Sequence, residues 1–335
     1  MGLYPLKFEP RLVEKIWGGR KLERLLGKHL PPEKLIGESW EIYDFPPGVV
    51  EGSKDWVSSR IINGEYAGRT LHWVVAEFSS DLLGNAAPIG PAGQFPLLIK
   101  FLDAREDLSV QVHPDAKYAG GHPGAHLKTE AWFVMQNEPN SRLLIGVVPG
   151  TNREQFRRAI MTNEVERQVA TIPAQAGNCH YLPSGTVHAL GAGMLVAEVQ
   201  TPSDTTFRVY DFGRIDSSTG KPRTLHVEEA LECIDFNTPA PAPVMNRADA
   251  GSMMVRSPFF EIKRGAMPAR STHELPSGEM RIMMMLEGRA LIRSSGSSHE
   301  TSITIGQTVL LPAALKKPVM QSTNACSWLE ITVPK

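Results

Sequence analysis

The stretch Ser109-Val110-Gln111-Val112-His113-Pro114-Asp115, followed after a polar loop by Lys128-Thr129-Glu130-Ala131-Trp132, decides how the rest of the chain is read. Its first half alternates with period two, so a strand puts Ser109, Gln111 and His113 on one face and Val110 and Val112 on the packed side. Pro114 ends that strand. The next begins near Lys128, with Lys128 and Glu130 sharing a face while Ala131, Phe133 and Met135 alternate on the other. An amide, an imidazole and a carboxylate converging from rigid strands are the donor types of a divalent metal site.

A second stretch runs Gly177-Asn178-Cys179-His180-Tyr181-Leu182-Pro183-Ser184-Gly185-Thr186-Val187-His188, with the form G-x5-P-x-G-x2-H. Pro183 and Gly185 turn the chain, and His188 leaves the turn on the following strand. This spacing resembles the second signature of the cupin family, which implies a small jelly-roll barrel with a metal inside its mouth. The first cupin signature carries H-x-H; here it reads Gln111-Val112-His113, with the carboxylate delayed to Glu130. The flanks are Trp17-Gly18-Gly19, Gly37-Glu38-Ser39-Trp40-Glu41, PLLIKFLDA at 96–104 and AEVQTPSDTTFRVYD at 197–211. Together these pieces resemble the type I mannose-6-phosphate isomerases over roughly residues 5 to 235.

The resemblance implies a zinc-dependent aldose–ketose isomerase that interconverts mannose 6-phosphate and fructose 6-phosphate through an enediol. Gln111, His113, Glu130 and His188 would then hold one Zn²⁺ per chain. Glutamine is an uncommon zinc ligand, and other borderline divalent ions suit the same set. Arg208 matches the arginine at the family's reacting centre, with Asp204 four residues before it. A guanidinium cannot readily act as a base, so its expected role is to stabilise the enediolate. Lys128, beside Glu130, is the expected proton donor or base. Glu198 is expected to hold substrate hydroxyls or support a metal ligand, and Ser109 and Lys100 match positions associated with phosphate binding. Two departures stand out: Leu127 where many relatives have glycine, and Phe207 where tyrosine is frequent.

At 335 residues the chain exceeds the usual single core, so two domains are expected. A net charge of −1 gives no general attraction to nucleic acid or an acidic membrane. Three cysteines without C-x-x-C spacing indicate thiols of a reducing compartment, and Cys179 reads as a core filler rather than a ligand. No signal peptide and no run of about 18 apolar residues is present, so a cytoplasmic protein is expected.

The fold class expected is mainly β: two cupin-type jelly-roll barrels with a few short helices packed on the first. The metal-binding domain takes residues 1–236 and a proline-rich linker 237–249. Residues 250–335 form a degenerate second barrel without metal, since Leu315 stands where the Gly306-x5-Pro312 frame would place a histidine. Helices are expected after Thr70, after a Thr151-x-x-Glu154 capping box and around Val165–Val169, with Ala86–Gly93 a loop. The Met283–Met285 run reads as core, His122, His126, His273 and His299 as surface, and Glu38 and Glu41 as pointing away from the core. Two other classes fit parts of the pattern. His113, Glu130 and His188 could form the facial triad of an iron-dependent bicupin dioxygenase. A non-catalytic sugar-binding cupin would keep the barrel and tolerate loss of Lys128 or Arg208; both residues are present.

Overall fold

The computed structural model describes residues 2–50, 52–86, 92–216, 219–245, 251–295 and 299–334. Most of the loop expected at Ala86–Gly93 and the end of the 237–249 linker lie outside these residues. The chain is mainly β, with antiparallel strands in four principal sheets. Alternation of apolar and polar residues is satisfied by stacking these sheets on their apolar faces, and the second outer sheet leaves its polar face to solvent.

The first inner sheet has six strands in the order Cys179–Leu182, Glu130–Asn137, Met194–Gln200, Leu98–Ala104, Ile36–Ile42 and Arg11–Gly19. Facing it, a first outer sheet orders Val169–Pro173, Arg142–Val147, His188–Leu190, Val110–Val112 and Phe207–Tyr210. Leu102, Trp132, Val134 and Val196 of one sheet meet Leu143, Ile145 and Leu190 of the other, filling the space between them. Val110 and Val112 point the opposite way, onto Phe156, Ile160, Ala230 and Leu231 of the helices Arg153–Met161 and Val227–Cys233. That is why Gln111 and His113 face inward.

A second pair of sheets repeats the plan, and its interior is apolar, with Met283, Met285, Ile292, Leu311, Leu315 and Trp328 among its residues. The methionine run therefore packs as expected, Met284 facing the other way. Between the two inner sheets lies a third core, where Ile99, Phe133 and Val199 meet Ile282, Met284, Leu310, Leu329 and Ile331. The N-terminal strand Leu6–Lys7 belongs to the second inner sheet, pairing Leu6 with Leu310 and Lys7 with Val309. Cys179 and Val244 also exchange both backbone hydrogen bonds, at 3.0 and 2.9 Å. The N-terminal strand thus ties the two pairs of sheets together, and the Cys179–Val244 pairing docks the connecting segment onto the first inner sheet.

Several local expectations are corrected. The helix after residue 151 is capped by Asn152 and Gln155, one position beyond the expected Thr151/Glu154 pair, because the Thr151 hydroxyl donates to Gln168. Val165–Gln168 is a 3₁₀ turn, with Val169 already in a strand. The loop between Asp115 and Lys128 contains a short helix, Ala116–Gly121, capped by the Asp115 carboxylate. His299 is half-buried and stacks on Tyr4, with ring centroids 4.4 Å apart. By contrast, Thr70 caps Leu71–Leu83 as its sequence implies.

If the inter-sheet core joins both halves, the chain should unfold in one cooperative transition. Leu329→Ala, which empties a fully buried position there, should lower stability by about 2–5 kcal/mol in a urea titration. Two well-separated transitions would contradict this.

Candidate active site

Three elements of the first pair of sheets bring the metal-ligand candidates together. His188 pairs with Gln111 in the register of the outer sheet, and Glu130 opens the facing strand Glu130–Asn137. The Pro183–Gly185 turn fixes the remaining degree of freedom. Gly185 has φ +85°, and its N–H donates to the His113 carbonyl at 3.0 Å, linking the two signature stretches directly.

His113, Glu130 and His188 are all buried, and their ligand atoms lie within 4.8 Å of one another. His113 Nδ1 lies 3.0 Å from the Thr205 carbonyl, and His188 Nδ1 lies 2.8 Å from that of Thr186. A carbonyl only accepts, so each Nδ1 carries the proton and each Nε2 offers a lone pair. Those lone pairs face Glu130, at 3.4 Å for His113 and 3.1 Å for His188. Burial, reinforced by the Lys128 charge, pushes the His113 imidazole down to about 3, so it is neutral at ordinary pH. Burial acts to raise the Glu130 carboxyl, but Lys128 and His113 overcome it and hold the carboxyl well below its usual range.

Acceptors therefore face acceptors in a closed space, and His113 Nε2 and both Glu130 oxygens are buried without a hydrogen-bond partner. A divalent cation is the group that satisfies all of them at once, with outer carbonyls orienting both rings. The Gln111 amide lies 3.4 Å from His188 Nε2, at the edge of the cluster, and turned over it would offer a fourth oxygen donor. The donor set fits a borderline divalent metal.

The cluster opens into a cleft of about 750 Å³. Gln111, Glu130, Lys128, Lys100, Ser109, Glu198, Asp204 and Arg208 all line it, while His113 and His188 stand behind Glu130 and are not part of its wall. Lys128 is 5% exposed and its ammonium lies 3.1 Å from Glu130. Lys100 sits between Glu38 at 3.4 Å and Glu198 at 3.5 Å, over the Trp40 ring. Burial opposes its charge, but Glu198 and Glu38 outweigh burial and raise its pKa. The Glu198 and Asp204 carboxyls are raised by burial, against the lowering influence of Lys100. The Arg208 guanidinium donates to the Thr224 carbonyl at 2.9 Å, and the charged neighbours that act on Asp204 are Lys100, Glu38, Lys15 and Lys128.

Glu38 corrects the sequence reading. It lines the cleft, accepts from the Trp40 indole at 2.6 Å and pairs with Lys15 at 3.0 Å. Glu41 does point away, into the groove beside Lys28 and Ser39. Lys15 and Trp132 also line the cleft, as do Asp216, Thr219, Lys221, Pro222, Arg223, Thr224 and His226 at its outer end, and none of these was singled out from the sequence. Trp132 stands edge-on to His188 at 5.2 Å, and the Glu130–Trp132 alternation carried that signal. Cys179 is buried between the inner sheets, away from the ligand cluster.

Fold and site together define a mainly β protein of stacked antiparallel sheets with an enclosed histidine–carboxylate centre beside a charged cleft. Residues 6–157 match the family described as phosphomannose isomerase type I, catalytic domain. Mannose-6-phosphate isomerase of Streptococcus mutans is 36% identical over 299 residues, 86% of this chain and 89% of that protein. ManA, a mannose-6-phosphate isomerase of Bacillus subtilis, is 37% identical over 234 residues, 69% of this chain and 68% of that one. A crystal structure of mannose 6-phosphate isomerase from Bacillus subtilis has a TM-score of 0.83 at 28% identity, covering 98% of this chain and 99% of the other. The chain belongs to the type I phosphomannose isomerase family.

The purified protein should bind about one equivalent of divalent metal, measured by elemental analysis. His188→Ala should lose it while keeping the thermal transition of a folded chain. Full metal retention by that variant would show that the cluster is not the site.

Proposed function

We propose that this chain is a zinc-dependent mannose-6-phosphate isomerase, interconverting mannose 6-phosphate and fructose 6-phosphate. The observation that carries the reading is a cleft lined by Lys128, Glu198, Asp204 and Arg208 together with Glu130, through which it meets the buried His113–Glu130–His188 cluster. The reaction moves a proton between C1 and C2 and develops negative charge on an oxygen, so it needs proton carriers and fixed positive charge together. Zinc held by Gln111, His113, Glu130 and His188 would supply a Lewis acid for the sugar oxygens.

The remaining work falls to side chains. Lys128 is buried beside Glu130 and donates or accepts the proton at the carbonyl end of the substrate. Arg208 keeps its charge at any working pH and stabilises the enediolate; its bond to the Thr224 carbonyl holds the guanidinium plane. Glu198 and Asp204, their carboxyls raised by burial, are suited to exchange protons with sugar hydroxyls during ring opening. Glu198 Oε1 accepts no hydrogen bond within the protein and is available to a hydroxyl. Ser109 and Lys100 complete the wall on which the sugar lies. This density of charge disfavours the dioxygenase reading, whose apolar aromatic substrate would meet paired lysines and carboxylates. The unpaired thiols suit a reducing, cytoplasmic setting, and no described helix is long and apolar enough to cross a membrane.

Arg208 separates a catalyst from a binding protein. Arg208→Ala should lower kcat on mannose 6-phosphate by about 10²–10³, with a much smaller change in KM and unchanged metal content. Arg208→Lys should restore little, because a point charge on a flexible stem does not reproduce the planar fork. A near-normal kcat with only a raised KM would move the charge-stabilising role to Lys128.

A further inference from the structure

The cleft is sorted by charge along its length. At the inner end Glu38, Glu130, Glu198 and Asp204 are matched by Lys15, Lys100 and Lys128, each cation within 3.5 Å of a carboxylate. Lys100 in particular is already shared by Glu38 and Glu198. A phosphate dianion brought to it would add two negative charges to a nest of four carboxylates whose three lysines are already paired.

The outer end is different. It is built from Arg208, the hairpin strands Ile215–Asp216 and Lys221–Pro222, and the segment leading to His226. Arg223 is committed to Asp211, which also takes Arg214. Lys221 is exposed and makes no ion pair among the described residues; Asp216, opposite it in the hairpin register, is the acid of this rim. His226 has a fixed tautomer. The Arg208 backbone N–H donates to His226 Nδ1 at 3.3 Å, so the neutral ring carries its proton on Nε2 and is a hydrogen-bond donor. Burial, with Arg208 nearby, keeps that ring below its ordinary pKa. Thr206 and Thr219 add hydroxyl donors to the same lining.

We propose that the substrate's phosphate is received at this outer rim by the Lys221 ammonium and the His226 Nε2–H, with Thr219, and that Lys100 serves the sugar rather than the phosphate. The assignment rests on the sugar-phosphate reading given above. It places the dianion where a cation and neutral donors are available and leaves the inner end to the hydroxyls and the reacting carbons. It also makes His226, through its contact with the Arg208 backbone, the residue that joins the phosphate rim to the reacting centre.

The test uses Lys221→Gln and Lys221→Glu, exposed changes that leave the core untouched, together with His226→Gln. KM and kcat for mannose 6-phosphate are measured alongside competitive inhibition by inorganic phosphate. Lys221→Gln should raise KM and the phosphate inhibition constant in parallel, by about 10-fold or more, with kcat moving less than about threefold. Lys221→Glu should raise both further, and His226→Gln should act in the same direction. Unchanged KM and unchanged phosphate inhibition in the Lys221 variants would overturn the proposal while leaving the isomerase reading intact. If the unmodified protein fails to turn over mannose 6-phosphate, that reading falls, and calorimetric titration with inorganic phosphate still decides the anion site. Binding that is lost in Lys221→Gln supports the site, and no binding or equal binding overturns it.

Discussion

The Glu130 carboxylate is the constraint around which the first pair of sheets is arranged. It is 1% exposed, held ionised, and faced by two imidazole lone pairs. Enclosing a carboxylate costs several kcal/mol even after the surroundings relax. Only Lys128 offers it a positive charge within the described chain, at 3.1 Å. The fold tolerates this because the segments carrying Gln111, His113 and His188 are fixed from behind by a helical layer and by the Gly185–His113 hydrogen bond. A cluster so short of donors is a preorganised cation site, and its rigidity places Lys128 beside whatever the cation holds.

The same electrostatic economy extends outward. Lys100, Lys15, Glu38, Glu198 and Asp204 form a network in which one lysine serves several carboxylates. Burial leaves Glu198 and Asp204 raised despite Lys100, while Glu38, with two lysines and the Trp40 indole, is depressed despite its burial. Neighbouring carboxyls pushed apart in this way are the ordinary means of having both acid and base in one site. The second pair of sheets contributes none of these groups. Its contribution is mechanical: its inner face covers the apolar back of the sheet that carries Glu130, Lys100 and Glu198.

Much of this was legible in the sequence because the site lies on short strands with clean alternation. Gln111 and His113 against Val110 and Val112, and Glu130 and Trp132 against Ala131 and Phe133, declare their faces by parity alone. The Pro183–Gly185 turn is equally local. Glu38 shares parity and a face with Trp40, whose indole it accepts from, and the register shift between Trp40 and Ile42 separates both from Glu41. The pairing of Leu6 with Leu310 joins residues at opposite ends of the chain, and nothing in either segment announces it. The outer rim escaped notice for a different reason. Lys221 and His226 sit in polar connecting segments, where sequence gives no face and only the folded hairpin brings them over the cleft.

The most direct measurement is a coupled assay of mannose 6-phosphate isomerisation on the purified protein, repeated after chelation and again after adding zinc. The account predicts turnover in the first state, its loss in the second and its return in the third, with the chain folded throughout. Turnover that persists at zero bound metal, or no turnover with the metal site filled, would contradict it.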